Sequence, residues 1–193
     1  MTAASITLDY VDPRDLKPHE DILKNRLAET IISIRETRSV VPIIVDHRTL
    51  LIIDGHHRWE ALSALGHKRI PIYYVDYLDP RISVGIWYRK LTLNSVSKLY
   101  LKSMESEGDV CIQIESKICS RSHFEAYWKL ELIEQSLRRF GVQVERNPSE
   151  GYKPPNLSKE IILKIASKET RLPPKSSRHL YDFIIPKDRV KLQ

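Results

Sequence analysis

Apolar residues in the first half of the chain recur with two different periods, which predicts helices and strands in mixed order. Between Asp21 and Arg38 they fall three or four positions apart, a spacing typical of an amphipathic helix. A second helix is predicted at Arg58–Leu65. Shorter apolar runs end at Gly, Pro or Asp and predict strands. The predicted strands are Ser5–Val11, Val40–Asp46, Leu50–Ile53, Arg69–Tyr77 and Ile82–Leu93.

The second half of the chain has a looser pattern, with longer polar stretches between its apolar positions. Its predicted helices are 98–105, 123–140 and 158–168, and its predicted strands are 110–115, 142–146 and 181–185. The connections are too short for the crossover helices of a doubly wound parallel sheet. The expected fold class is therefore α/β, in the α+β sense, with a small mixed sheet.

The connection between the Leu50–Ile53 run and the helix Arg58–Leu65 is the strongest candidate site. A strand that passes through a glycine turn into a helix leaves backbone N–H groups without partners, at the positive end of the helix dipole. His56, His57 and Arg58 add three side chains that can carry positive charge. The tract therefore predicts an anion site, and phosphate is its natural ligand.

Composition argues against a membrane protein but does not decide between a nucleic-acid-binding protein and an enzyme. The chain has 193 residues, 41% of them hydrophobic, which is enough to bury a core. No apolar run approaches the roughly 20 residues that span a bilayer, and the first residues lack the layout of a signal peptide. We therefore expect a cytoplasmic location and no membrane partner. The net charge of +6 suits a nucleic-acid partner or a nucleotide-binding enzyme equally, because the basic residues are scattered.

The two cysteines, Cys111 and Cys119, do not have the spacing of a metal-binding pair. In a cytoplasmic protein they are expected to be reduced and partly buried. A disulfide is the alternative, because intracellular disulfides occur in hyperthermophiles. The abundance of Ile, Lys, Arg and Glu is compatible with such a source.

The order of elements across residues 15–77, with the sequence Asp-Gly-His-His-Arg at 54–58, resembles the ParB/sulfiredoxin superfamily. ParB proteins have a G-E-R-R type of turn, and sulfiredoxins have a G-G-C-H-R type with a catalytic cysteine. This chain has no cysteine at the turn, so sulfiredoxin chemistry lacks its nucleophile. The motif instead resembles that of the free L-serine kinases. This resemblance implies a ParB/sulfiredoxin-like catalytic core at 1–93 and a C-terminal α/β extension at 94–193 that completes the active-site cleft.

The resemblance also implies an activity, the transfer of a phosphoryl group from ADP or ATP to the hydroxyl of L-serine. The product, O-phospho-L-serine, would feed cysteine and serine metabolism. Glu20 matches an essential glutamate of these kinases, and we expect it to orient and deprotonate the serine hydroxyl. Without the resemblance, Glu20 would be interpreted as a carboxylate that favours the start of a helix.

Phosphoryl transfer requires stabilisation of spread negative charge, and the glycine turn can supply it. We expect Gly55, His56, His57 and Arg58 to bind the donor phosphates, with His57 also counted among the catalytic residues. Asp54 is expected to act in catalysis through Mg²⁺ carried in by the nucleotide, although it could instead cap the helix. A zinc site at the two histidines is not expected, because the ligand spacing is absent.

Three further regions resemble those of the kinases. Trp87 corresponds to an aromatic residue near the amino-acid substrate, and Ser39 and Val40 lie at the superfamily's ligand cleft. The polar segment near the C-terminus resembles a loop of those kinases and is expected to supply more phosphate donors. Its candidate residues are Lys175, Ser176, Ser177, Arg178 and His179.

Other functions stay open at this stage. A ParB-like DNA-binding protein or nucleotide switch is the main alternative, but residues 95–170 show no convincing helix-turn-helix. Another small-molecule phosphotransferase is the second alternative. The expected partners are L-serine and ADP or ATP, whereas nucleic acid is not expected. The pattern does not choose between the two donors, between serine and a related hydroxyl substrate, or between a monomer and an oligomer.

Overall fold

The computed structural model describes residues 6–192. The helices within that range are α1 (Lys24–Thr37), α2 (His56–Ala64), α3 (Ser95–Ser103), α4 (His123–Arg139) and α5 (Lys159–Ser167). The strands are β1 (Thr7–Val11), β2 (Ser39–Val40), β3 (Ile43–Asp46), β4 (Ile52–Asp54), β5 (Ile70–Val75), β6 (Ile82–Ile86), β7 (Tyr88–Leu91), β8 (Val110–Ile114), β9 (Ser116–Ser120), β10 (Val144–Asn147), β11 (Ser177–Tyr181) and β12 (Val190–Lys191). The expected α/β class is confirmed.

The described residues divide into two compact units. The core unit contains residues 6–83, 162–174 and 179–192, and the insert unit contains residues 84–161 and 175–178. The sequence prediction placed everything after residue 93 in one extension. The structure differs because two late segments pair with early ones: β12 is antiparallel to β2, and Leu172 forms a bridge with Glu20. A periodic pattern along the chain carries no information about such long-range pairing.

The core unit is built on a four-stranded mixed sheet with the strand order β1-β5-β3-β4. β5 is antiparallel to β1 and parallel to β3, and β4 is antiparallel to β3. Ile43, Val45 and Ile52 on the central strands are fully buried. Central strands covered by other elements are apolar along most of their length, which is why the sequence pattern identified them. This sheet fixes the end of β4, from which the glycine turn starts.

Several predicted boundaries need correction. The predicted strand Val40–Asp46 is two strands, β2 and β3, interrupted at Pro42, which has no N–H to donate. The predicted strand Ile82–Leu93 is also two strands, β6 and β7. β11 is Ser177–Tyr181, so the predicted strand 181–185 was wrong, and the last strand, β12, was not predicted. β9 was missed because its sequence, SKICS, is too polar to resemble a strand.

The insert unit packs α3 and α4 against the β8–β9 hairpin. Its buried core includes Ile112, Ile118, Leu130 and Ile133. Cys111 and Cys119 are directly opposed in the hairpin register and form a disulfide, so the expectation of reduced thiols was wrong. The missed strand explains the error, because without β9 nothing in the pattern brings the two cysteines together.

A cluster of paired charges is buried in the insert unit. Arg89 and Glu134, exposed by only 3% and 1%, form an ion pair with an N–O distance of 2.5 Å. Arg138 and Arg146 each donate to the second carboxylate oxygen of Glu134 at 3.2 Å. Burial alone would raise the pKa of Glu134, but the surrounding arginines outweigh it and lower that pKa. The carboxylate is therefore charged, and both of its oxygens bind arginines of the insert unit.

Among residues 6–192, no helix is long and apolar enough to cross a membrane.

Candidate active site

The turn between β4 and α2 has a conformation that requires glycine. Gly55 has φ +103° and ψ 25°, in the left-handed region, and a Cβ there would lie 2.9 to 3.1 Å from the guanidinium group of Arg58. The backbone angle therefore strains any other residue, and an added Cβ would displace the guanidinium of Arg58. No side chain caps the helix start. The first turn of α2 thus presents N–H groups that have no acceptor within the helix, as an anion site requires.

Arg58 is held over this turn by three hydrogen bonds. Its Nη1 donates to the carbonyls of Val41 at 2.9 Å and Pro42 at 2.8 Å, and its Nη2 donates to Oδ2 of Asp54 at 2.9 Å. The carboxylate of Asp54 is 59% exposed and pairs with Arg58, so the alternative in which it caps the helix is not found. Arg58 therefore places a fixed positive charge beside the exposed carboxylate.

His56 and His57 both accept main-chain hydrogen bonds. Nε2 of His56 accepts from the N–H of His19 at 3.3 Å, and Nε2 of His57 accepts from the N–H of Leu23 at 2.9 Å. A ring nitrogen that accepts cannot carry the proton, so each ring has its proton on Nδ1. The structure thus uses Nε2 of both residues to anchor the loop before α1. Burial, followed by the nearby His19 and other cationic groups, lowers the pKa of His56 well below its ordinary value.

Glu20 lies in the loop that these two histidines hold. It is 9% exposed, and His19 before it and Leu23 three positions after it donate from their main-chain N–H groups to histidines of the first turn of α2. The loop is also fixed to Leu172, whose N–H donates to the carbonyl of His19 and whose carbonyl accepts from Asp21, both at 2.8 Å. The loop that contains Glu20 is therefore bound to the first turn of α2 through its main chain, and the catalytic role of Glu20 stays a prediction.

Sequence analysis missed a group of aromatic residues around His19. The fully buried ring of His19 lies 4.6 Å from that of His56 and 5.5 Å from that of His179, measured between centroids. Nε2 of His179 is 2.8 Å from the hydroxyl of Tyr77, and Nδ1 of His19 is 2.9 Å from the carbonyl of Ile52. Burial, and then the proximity of His179, lowers the pKa of His19 to about 3. No local pattern indicates this group, because its members come from distant parts of the chain.

The candidate residues of the C-terminal segment fall in both units. His179 belongs to the core unit, whereas 175–178 belong to the insert unit. There Trp87 donates from Nε1 to the carbonyl of Ser177 at 3.1 Å, and the guanidinium of Arg178 lies 5.4 Å from the centre of the Trp87 ring. Lys175 is exposed with φ +56°, and Ser176 is buried. The structure thus brings Trp87 together with two of the predicted phosphate donors.

Ser39 and Val40 are engaged by the C-terminal strand. The side-chain oxygen of Ser39 accepts from Nε of Arg189 at 2.9 Å, and Val40 is buried opposite Val190 in the β2–β12 pair. Their role in substrate binding stays a prediction.

One group of potential metal ligands occurs in the described part of the chain, away from the glycine turn. Atoms of Asp46, His47 and Asp76 lie within 4.8 Å of one another. However, Asp46 accepts from the hydroxyl of Thr49 at 2.6 Å, and Asp76 pairs with Arg48 at 2.7 Å. These bonds stabilise the β3–β4 turn and its neighbour, so the group has a structural explanation.

Comparison with known proteins identifies the family. The model of the ParB N-terminal domain matches residues 2–83. A ParB-like protein of Sulfolobus acidocaldarius is 36% identical over 192 residues, which cover 96% of each chain. The chain therefore belongs to the ParB-like proteins, and the family resemblance seen in the sequence is confirmed.

Two other relatives are named as kinases. An ATP-dependent L-serine kinase of Staphylothermus marinus is 37% identical over 103 residues, or 51% of this chain and 40% of that protein. An ADP-dependent L-serine kinase of Thermococcus kodakarensis is 31% identical over 84 residues, or 41% of this chain and 35% of that protein. The matched regions thus span less than half of these kinases.

Solved structures extend the similarity of fold to the whole chain. A free serine kinase variant in complex with AMP matches with a TM-score of 0.79 and 18% identity, covering 100% of this chain and 94% of that chain. A truncated SbnI from Staphylococcus aureus matches with a TM-score of 0.72 and 20% identity, covering 93% and 85%. At such identities the likeness establishes the fold alone.

Proposed function

We propose that this protein is a free L-serine kinase that transfers a phosphoryl group from ADP or ATP to the hydroxyl of L-serine, giving O-phospho-L-serine. The observation that carries the proposal is the position of Glu20. Glu20 is largely buried in a loop that main-chain bonds hold to the first turn of α2, a helix start that no side chain caps and that suits a phosphate. An acid beside an anion site is what transfer to an alcohol requires.

In the proposed reaction each residue has a limited task. The N–H groups of α2 and the guanidinium of Arg58 stabilise the charge on the phosphoryl oxygens. The serine oxygen forms a bond to phosphorus while the bond from phosphorus to the departing nucleotide oxygen breaks. The proton of the serine hydroxyl passes to Glu20. His56 and His57 hold the Glu20 loop through Nε2 at the proposed phosphate site.

The residues at the turn fit a magnesium ion that arrives with the nucleotide. Mg²⁺ in such sites is usually held by one or two carboxylates and by substrate phosphates. Asp54 offers an exposed carboxylate beside the first turn of α2, with Arg58 bound to one of its two oxygens. When bound, the ion would neutralise charge on the donor phosphates. Asp54 is the residue that would hold it.

The test uses purified protein with L-serine, magnesium and either ADP or ATP, followed by phosphorus NMR. The proposal expects phosphoserine with the wild type and a loss of product in Glu20→Gln. Glu36→Gln, an exposed glutamate on α1, is the matched control and is expected to keep full activity. Salt-sensitive binding to duplex DNA without phosphoserine would contradict the proposal and support a DNA-binding ParB-like protein.

A further inference from the structure

Tyr77 is a fully buried tyrosine of the core unit to which the sequence pattern gives no role. It lies two residues after β5 and is 1% exposed. Its hydroxyl oxygen is 2.8 Å from Nε2 of His179, a partly exposed residue of β11. Buried polar groups are almost always paired, and this pairing connects the interior of the core unit to a histidine that solvent can reach.

The main chain of Tyr77 is held by a buried carboxylate. Its N–H donates to Oδ1 of Asp46 at 2.9 Å, and Asp46 is only 2% exposed. The other carboxylate oxygen accepts from the N–H and the hydroxyl of Thr49 at 3.0 and 2.6 Å. Buried networks whose members are paired are rigid. The tyrosine ring therefore extends towards His179 from a fixed base.

The ring of His179 contacts two other rings. Its centroid lies 5.5 Å from that of Tyr77 and 5.5 Å from that of His19, with interplanar angles of 60° and 85°. Such edge-to-face contacts are favourable at this distance. Because Nε2 is bonded to the tyrosine hydroxyl, the ring offers only Nδ1 to any other partner. The position and the rotation of the His179 ring are therefore set by its neighbours.

We propose that Tyr77 is a positioning residue for the phosphoryl transfer, and that it acts by fixing the orientation in which His179 meets the phosphates. This inference rests on the proposed kinase function and on the expected role of His179 as a phosphate donor. A donor that is already oriented stabilises a transition state without the cost of reorganisation. Because Tyr77 is buried, its effect reaches the reaction through His179.

The experiment measures the steady-state rate of phosphoserine formation for the wild type, Tyr77→Phe, His179→Gln and the double variant. Phenylalanine keeps the buried ring and removes only the hydroxyl. We expect kcat of Tyr77→Phe to fall about tenfold, within the roughly hundredfold that a 1 Å misplacement can cost. KM for L-serine and for the nucleotide should stay within about twofold, because loss of an interaction made only in the transition state lowers kcat and kcat/KM equally.

The double variant separates positioning from a general loss of stability. His179→Gln should lower kcat by at least as much as Tyr77→Phe does. If Tyr77 acts only through His179, adding Tyr77→Phe to His179→Gln should change kcat by less than about twofold, because residues that act as one unit are not additive. A general loss of stability would lower kcat in both backgrounds.

Tyr127→Phe is the matched control. Tyr127 is also 1% exposed, and its hydroxyl donates to the carbonyl of Pro155 at 2.7 Å. Each phenylalanine variant loses one buried hydrogen bond, so both should unfold at a somewhat lower temperature than the wild type. Only Tyr77→Phe should lose kcat.

Four results would overturn the inference. If the wild type makes phosphoserine and either Tyr77→Phe or His179→Gln keeps its kcat, the inference fails while the kinase function stands. The His179→Gln result decides this even if Tyr77→Phe does not fold. A rise in KM with unchanged kcat would show that the hydroxyl serves substrate binding. Equal decreases in kcat in both backgrounds would show that Tyr77 does not act through His179. A wild type that makes no phosphoserine would overturn the proposed function, and this inference with it.

Discussion

Each unit contains a cluster of buried polar side chains, and the two clusters differ in charge. The core unit buries a cluster of imidazoles, and burial, followed by neighbouring charges, lowers the pKa values of His19 and His56 so that both are neutral. The insert unit buries charges, with Glu134 kept ionised by three arginines. The histidine cluster of the core unit thus carries no charge, whereas the cluster of the insert unit contains a charged acid that is paired with three arginines.

This difference reflects what each unit must do. Neutral rings can accept main-chain N–H groups, and so His56 and His57 can fix the Glu20 loop at the start of α2. Because the imidazole rings are neutral, the positive charge at the turn comes mainly from Arg58 and from the N–H groups at the start of α2. In the insert unit the charged cluster holds β7, α4 and β10 together. This role requires that Glu134 stay ionised and paired with its arginines.

Removal of Glu134 should have the largest effect on stability. Glu134→Ala leaves Arg89 buried without its partner, and loss of one member of a buried ion pair costs about 3 to 5 kcal/mol. Urea denaturation measures the free energy of unfolding. The matched control is Glu150→Ala, which removes an exposed pair with Lys90 and should cost about 0.5 kcal/mol or less. A decrease of less than about 1 kcal/mol in the free energy of unfolding of Glu134→Ala would show that the ion pairs of Glu134 do not stabilise the fold.

Substitution of Gly55 should have the next largest effect. Gly55→Ala forces a side chain into left-handed backbone at a cost of about 1 to 3 kcal/mol, and it displaces the guanidinium of Arg58. We expect ADP binding to weaken at least tenfold, as measured by calorimetry.

Gly66→Ala is a suitable control, because Gly66 also has a positive φ of +81° but nothing within 4 Å of an added Cβ. It should lose stability and keep its affinity for ADP. Equal affinities in both variants would mean that the glycine turn does not bind the phosphates.

The pH dependence of stability should come from the neutral histidines. The folded-state pKa of His19, about 3, lies below the ordinary value of 6.5, so the folded protein binds fewer protons than the unfolded chain. Stability is therefore fully present above pH 6.5 and falls as the pH decreases from 6.5 towards 3. At pH 5.5 the loss from one such imidazole is about 1 kcal/mol.

His19→Gln tests this interpretation, because glutamine can still donate to the carbonyl of Ile52 and does not titrate. Denaturation at pH 7.0 and 5.5 should show a smaller difference between the two pH values for this variant than for the wild type. An unchanged difference would show that His19 does not contribute to the acid sensitivity.

The sequence predicted local elements of the site well. β4 and α2 were found because an apolar run, a glycine and a helical period follow one another directly. The pattern also predicted α1, although the helix begins at Lys24 rather than Asp21, since Leu23 uses its N–H to bond with His57. Glu20 itself was identified by resemblance and not by periodicity.

The rest of the site depends on contacts between distant residues, which local patterns do not report. His19, His56 and His179 look like isolated histidines until the fold brings them together. Glu134 occupies a helix position that looks exposed until the arginines of other strands surround it. Tyr181 was assigned to a strand with the wrong bounds, and only the folded chain shows that its hydroxyl is unpaired.

The most direct test of the central claim separates catalysis from nucleotide binding in Glu20→Gln. If Glu20 acts on the serine hydroxyl, the rate of phosphoserine formation should fall at least 100-fold, within the range of about 10² to 10⁴ for a general base. The affinity for ADP should stay within about twofold of the wild type, because the helix N–H groups and Arg58 are intact. A variant that keeps its rate, or one that loses rate and ADP affinity by the same factor, would contradict the proposed role of Glu20.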